Sequence, residues 1–287
     1  MTVDDDAQPI CATCGVQYGS DIFDPDHCRI CDDERQYVGW EGQRWTSLSE
    51  LRLDHRNRVD EEGPGLWGIG TVPGFAIGQR ALLVERANKN ANQGNVLWDC
   101  ISLVDDETVD FVNGRGGIVA IAISHPHYYG VLVEWSRALG GVPVYVHEHD
   151  REWITRPDPC VELWSGDTLE LGPGLTLIHC GIHFAGGTVL HWADGDDGAG
   201  ALLSGDILQV VMDRRWVSFM RSYPNLIPEH PATIERALRL IEPFAFRRIY
   251  GAWWGRIVDD DGPAVVTRSA RRYLQWVGWH GAPAGPG

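Results

Sequence analysis

Two groups of side chains in this sequence have the types and spacing to bind metal ions. Cys11-x-x-Cys14 and Cys28-x-x-Cys31 lie thirteen residues apart near the N-terminus. A C-x-x-C turn places two thiolates on one side of a tight loop, and two such turns supply the four soft ligands of a tetrahedral zinc site. Thiolates select zinc over magnesium or calcium. Four of them leave no open position for a substrate, so the expected role is structural, with zinc holding residues 1–37 in a knuckle. His27, beside Cys28, reads as a surface residue and not as a fifth ligand. The second group is His125, His127, His183 and Asp206. Each follows an apolar run that reads as a strand, and His125 and His127 stand two apart, so their rings leave extended backbone on the same side. Three imidazoles and a carboxylate suit zinc or non-haem iron.

Those residues need a scaffold of strands and helices. Gly117–Ile123 is an uninterrupted β-branched run, as expected of a strand covered on both faces. Further strands are expected at Phe75–Ile77, Ala81–Val84, Asn95–Asp99, Val142–Val146, Leu175–Ile178, Thr188–Leu190, Ala201–Leu203 and Arg248–Tyr250. Helical spacing of apolar residues runs through Val131, Leu132, Trp135, Ala138 and Leu139, and Gly140-Gly141 ends it. Pro231 opens a second helix carrying Ile234, Ala237, Leu238 and Ile241, and Ala264–Trp279 closes the chain with a third. Ser47 and Glu50 suggest a capped short helix in the connector. Asp60 to Gly65 reads as a linker, which divides the chain into a knuckle (1–37), a connector (38–65) and a large α/β or α+β domain (66–287).

The order of the second group resembles the metallo-β-lactamase superfamily from about Leu66 to the C-terminus. The family pattern is H-x-H-x-D-H after a buried strand, then G-H-x-x-G, then an Asp after an apolar strand, then a late His. His125 and His127 match the first two histidines, Ile182-His183-Phe184-Ala185-Gly186 matches the turn with Ile in place of Gly, and Asp206 matches the carboxylate. Leu97-Trp98-Asp99 resembles the family's early strand. The resemblance implies a four-layer αβ/βα sandwich with its site at the sheet edges. The departures are equally definite. Tyr129 and Gly130 stand where the pattern has Asp and His of a second metal site, and Gly251-Ala252-Trp253-Trp254-Gly255 carries no late His. The expected centre therefore holds one ion, on three histidines with or without Asp206.

One zinc there would lower the pKa of a bound water and polarise a substrate oxygen, which suits hydrolysis of a small ester-, thioester- or amide-like molecule. Asp206 would ligate the ion or orient the water as base. Tyr129 would offer its phenol to substrate from the vacated second position, or simply pack. His147, at the end of another strand, would stand behind the site, replace a ligand, or lie in a solvated loop with His149. His179 and His191 read as structural. An iron ion would instead suit a mononuclear dioxygenase, and loss of the second metal set also suits a scaffold kept for binding alone.

The bulk composition narrows the rest. The formal net charge of −16 argues against a nucleic-acid partner and against an anionic membrane. Met1–Asp6 is acidic where a secretory leader would be basic, and no apolar run of about 18 residues is present. Cys100, Cys160 and Cys180 are scattered, which suits buried thiols in a reducing, cytoplasmic setting better than a disulfide framework. The expected partner is a small-molecule substrate; the sequence leaves the oligomeric state open.

Overall fold

In the computed structural model, residues 5–86 and 94–279 are described, and residues 1–4 of the acidic N-terminal stretch lie outside them. Among the described residues two large mixed sheets dominate. The first has seven strands in sequence order: β1 (Arg56–Gly63), β2 (Leu66–Val72), β3 (Arg80–Val84), β4 (Asn95–Trp98), β5 (Ile118–Ala122), β6 (Val144–His147) and β7 (Val161–Trp164). Strands β1 to β4 are antiparallel and β4 to β7 parallel. The second has six: β8 (Thr168–Gly172), β9 (Leu175–His179), β10 (Thr188–Trp192), β11 (Ala201–Gly205), β12 (Arg248–Gly251) and β13 (Ile257–Val258), with β11 and β12 parallel.

The alternation of side chains along each strand builds the layers. Leu82, Val84, Ala120 and Ala122 of the first sheet meet Leu175, Leu177, Leu190 and Leu203 of the second in one buried cluster. The intervening residues face outward. Ala81, Leu83 and Ile121 pack under α2 (Asp106–Gly114) and α3 (Leu132–Ala138), with Val112 and Trp135 in the same cluster. Ile178 and Leu202 pack under Ile234, Ala237 and Ile241 of α4 (Pro231–Ile241) and Val265, Val266 and Ala270 of α5 (Gly262–Trp276). The result is the expected four-layer αβ/βα sandwich. No helix among the described residues is long and apolar enough to cross a membrane.

Three local expectations are corrected. The stretch Asp60–Gly65 is not a linker: residues 60–63 belong to edge strand β1, and Gly65, at φ +70°, turns the chain into β2. Acidic side chains are tolerated on a sheet edge, so the charge run did not prevent a strand. The sheet thus begins at Arg56, ten residues before the expected domain start. Phe75–Ile77 is a turn and not a strand, because Pro73 has no N–H to donate and Ala76 adopts φ +51°. In the connector, Ser47 does cap the short helix Leu48–Asp54 by accepting the Glu50 N–H at 3.3 Å, but the Glu50 carboxylate takes the Thr46 hydroxyl instead of closing a capping box.

The cysteine segment does not stand apart from this sandwich. Its buried residues Ile10, Cys11, Cys14, Cys28 and Cys31 are continuous with the apolar cluster on the outer face of the first sheet. Several hydrogen bonds join it to the loops at the strand ends. The Gln17 N–H donates to the Gly130 carbonyl at 3.0 Å, Ser102 Oγ to the Gly15 carbonyl at 2.7 Å, and Thr155 Oγ1 to the Gln17 carbonyl at 2.8 Å.

Leu203 is fully buried between the two sheets. Leu203→Ala is expected to lower the unfolding free energy by about 2–5 kcal/mol in urea titrations, the range for a large-to-small change in a packed core. A loss of under about 1 kcal/mol would show that the sheets are not packed face to face at this point.

Candidate metal centres

The four cysteine sulfurs converge within 4.8 Å of one another. Cys11 Sγ lies 3.6 Å from Cys31 Sγ, and Cys14 Sγ lies 3.7 Å from Cys28 Sγ. These are the edges of a small tetrahedron, and all four residues are buried. Hydrogen bonds from Cys14, Cys28 and Cys31 push the Cys11 thiol down, while burial pushes Cys14 up. Four sulfurs this close cannot all ionise unless a cation shares the site, which is the chemistry of structural zinc. Gln43 Nε2 donates to Cys11 Sγ at 3.2 Å and the Tyr18 hydroxyl lies 3.4 Å from Cys28 Sγ, so two sulfurs have outer partners.

The core group forms where strands end. β5 runs into Ser124 and His125, and a 3-10 turn over Pro126–Tyr128 brings His127 back beside it. His183 lies in the turn after β9, and Asp206 follows directly on β11. The three imidazoles offer nitrogens within 4.8 Å of one another. His183 Nε2 is 3.1 Å from His127 Nδ1, close to the edge of about 3.4 Å that follows from zinc–nitrogen bonds in a tetrahedron. Asp206 Oδ1 stands 3.3 Å from His125 Nε2.

The protonation pattern suits a cation. All four residues are between 1% and 4% exposed. Burial pushes the pKa values of His125 and His127 well down and that of His183 down to about 4, so the imidazoles are neutral. His183 Nδ1 donates to the carbonyls of Arg221 at 2.8 Å and Met220 at 3.2 Å, which leaves the lone pair on Nε2. His125 Nδ1 is engaged by Ser124 Oγ at 3.0 Å. Burial also pushes the Asp206 carboxyl up to about 7, with the Tyr128 hydroxyl drawing it back. His125 Nε2 and Asp206 Oδ1 are buried without hydrogen-bond partners, and His127 Nδ1 faces the His183 nitrogen. Unsatisfied acceptors at this density are costly, and one ion among them removes the cost. The three histidines therefore fit a single metal ion, with the Asp206 carboxylate beside His125.

Other residues brace this group. Asp99, at φ +63°, accepts the Ser124 N–H at 2.7 Å, and burial pushes its carboxyl up to about 8. Asp150 accepts the Gly186 N–H at 2.7 Å and Glu229 the His183 N–H at 2.9 Å, fixing the turn that carries His183. Phe184 touches all three histidine rings, with centroids 5.0–5.4 Å away, and the Arg35 guanidinium lies 4.4 Å above it. Arg35, Asp150, Phe184 and Glu229 carried no sequence signal. Arg35 meets His183 across 148 residues, and such a contact has no local signature.

Two expected site residues lie elsewhere. Tyr129 does not face the histidines: its hydroxyl donates to the Asp150 carbonyl at 3.2 Å. The 3-10 turn rotates its neighbour inward instead, so Tyr128 packs 4.5 Å from the His125 ring with its hydroxyl toward Asp206. His147 is also absent from the core group. It stacks on His179 at 3.7 Å beside His149, and these three form another histidine cluster. Its Nε2 bonds the Gly166 carbonyl and its Nδ1 accepts the His149 N–H, while His179 bonds the Ala185 carbonyl and the Arg236 guanidinium. The nitrogens of both stacked rings are engaged with a guanidinium alongside, and the His179 bond to the Ala185 carbonyl props the His183 turn.

No protein-family model matches the chain. Over 268 residues it is 47% identical to the uncharacterized protein YmaE of Bacillus subtilis strain 168, covering 93% of this chain and 95% of YmaE. The chain belongs to the YmaE family. Solved structures similar to this YmaE-family protein include VMB-1 (TM-score 0.56, 11% identity, 77% of this chain and 98% of that one). A metallo-β-lactamase from Hirschia baltica gives a TM-score of 0.52 at 18% identity, over 76% and 97% of the two chains. The metallo-β-lactamase FIM-1 of Pseudomonas aeruginosa, solved in a mono-zinc form, gives 0.53 at 15%, over 75% and 95%. The chain has the metallo-β-lactamase fold.

Cys14→Ser is expected to release one zinc equivalent and to lower stability, because the cysteine cluster is part of the apolar core. Unchanged zinc content in the purified variant would show that the four sulfurs hold no ion.

Proposed function

We propose that this YmaE-family protein is a hydrolase with a single core metal ion, acting on a small molecule with an activated carbonyl such as an ester, thioester or amide. The observation that carries the reading is the convergence of three neutral imidazoles and Asp206 at the strand ends of a metallo-β-lactamase fold. A zinc or iron ion bound there supplies Lewis acidity and a water acidified toward neutral pH. The remaining roles belong to the chain. Asp206 helps hold the ion or accepts a proton beside it, and Tyr128 packs on the neighbouring His125 ring. Phe184, Tyr128 and Tyr223 surround the histidines with rings and exclude bulk water. That a protein of this fold is solved in a mono-zinc form supports a one-ion centre.

Substrate must pass the roof made by Phe184 and Arg35. A surface groove of about 640 Å³, lined by Tyr18, Asp24, Arg29, Asp32, Trp153 and Ile154, lies against that roof, because the Trp153 ring meets Phe184 at 5.5 Å. We assign this groove as the approach to the site, with Trp153 and Phe184 as the side chains that give way.

A second reading, in which the core ion only holds the fold, is favoured by the burial of all four ligands under that roof. The two readings separate in one experiment. Metal content and turnover are measured for wild type, His127→Ala and His183→Ala against a panel of chromogenic esters and thioesters. The hydrolase reading expects about one metal equivalent beyond the knuckle zinc, lost in both variants together with a drop in turnover of 100-fold or more, on the order of what removing the catalytic ion costs. Metal lost without any wild-type turnover on the panel favours the fold-holding reading. Full activity in both variants contradicts the hydrolase reading.

A further inference from the structure

His183 has a backbone conformation that residues with a side chain rarely adopt, with φ at +69°. In this left-handed region Cβ crowds the carbonyl that follows, and the conformation persists only where neighbours over-determine it. Three braces do so here. Glu229 accepts the His183 N–H at 2.9 Å. Arg35 Nε donates to the His183 carbonyl at 2.7 Å. The carbonyl of Arg221 accepts from the ring at 2.8 Å, which aims Nε2 at the other ligands.

Two of these braces trace to the five residues that follow the last knuckle cysteine. Arg35 acts directly, four residues after Cys31. Arg221 is held through its side chain, which pairs with the Glu34 carboxylate. Asn225 Nδ2 donates to the carbonyls of Glu34 at 2.8 Å and Gln36 at 2.9 Å, pinning the backbone on either side of Arg35. Asp33 accepts both the backbone N–H of Arg35 at 3.0 Å and its guanidinium at 2.7 Å. That pairing fixes the rotamer and offsets a positive charge that would otherwise oppose a nearby cation. The guanidinium then lies flat on Phe184, which touches every histidine of the core group. A planar fork that bonds and stacks at once is a role lysine cannot fill.

We propose that Arg35 is a positioning residue for the core centre, and that through it the cysteine knuckle sets the metal affinity of that centre. Zinc among the four sulfurs orders residues 32–36, and Arg35 carries that order to the His183 carbonyl. The inference rests on the core group being a metal site. Because coupling between two binding sites is reciprocal, an ion in the core strengthens zinc binding in the knuckle by the same factor.

The test is a cobalt titration of full-length protein with the knuckle zinc retained and the core stripped by a mild chelator. Cobalt on nitrogen and oxygen ligands absorbs in the visible without the intense thiolate bands of a four-sulfur site, so the core is read separately. Wild type, Arg35→Lys, Arg35→Ala, Asn225→Ala and His183→Ala are compared, and knuckle zinc is counted in each by release with a thiol reagent. Arg35→Ala and Arg35→Lys are expected to bind core cobalt about 10- to 100-fold more weakly, as for loss of other groups that orient a metal ligand, with a shifted visible spectrum and one knuckle zinc still present. Asn225→Ala is expected to move in the same direction by a smaller factor, and it decides the matter should Arg35→Ala fail to fold. Wild-type affinity and spectrum in Arg35→Lys and Asn225→Ala would overturn the proposal. If wild type itself takes up no core cobalt and matches His183→Ala, the core-metal reading falls, and the proposal with it.

Discussion

Three imidazoles and a carboxylate that share one dry site cannot be left to themselves. Burial keeps the histidines neutral and raises the Asp206 carboxyl, yet His125 Nε2 and Asp206 Oδ1 face each other at 3.3 Å without forming a hydrogen bond. A cation resolves the conflict, and much of the surrounding structure serves to hold the four groups where that cation must be. Asp99 fixes the end of β5, Asp150 and Glu229 fix the His183 turn, and backbone carbonyls fix the His183 tautomer. Outer partners of this kind orient ligands, and removing them weakens metal binding even though they never touch the ion.

The strands and the two clusters of candidate ligands were legible in the sequence, and the four-layer sandwich through the resemblance to a known family. Strand alternation, the β-branched run before His125 and the paired cysteines are local patterns, and local patterns survive into structure. Long-range contacts were not legible. Nothing around Arg35 indicates that it crosses 148 residues to meet His183, and nothing around Glu229 indicates that it accepts a backbone N–H from the same turn. Tyr128 and Tyr129 show how finely a site depends on backbone geometry. A single 3-10 turn decides which of two adjacent phenols enters the core, and no spacing rule reads that turn. The charged run at Asp60–Glu62 misled in the opposite direction, because an edge strand tolerates the charges that also mark a loop.

The absent second metal set is replaced by aromatic and backbone groups, not by another polar cluster. Tyr128 packs on His125, Phe184 on all three rings, and at the position of the late histidine Trp253 bonds the Ile77 carbonyl while Trp254 stacks with Arg58 of β1. The aromatic rings among these residues also close the centre. The segment after the knuckle adds to the closure, since the buried Arg35 guanidinium lies over Phe184 and against Trp153. The cysteine cluster and the histidine cluster are thus parts of one packed unit, joined through hydrogen bonds between residues far apart in the sequence.

The account's central claim is a single ion on His125, His127, His183 and Asp206, separate from the cysteine zinc. Crystals of the protein as purified, measured above and below the zinc and iron absorption edges, test it most directly. The account predicts two anomalous peaks per chain, one among the four Sγ atoms and one within bonding distance of His125 Nε2, His127 Nδ1, His183 Nε2 and Asp206. A peak in the knuckle alone, or two peaks side by side in the core, would contradict it.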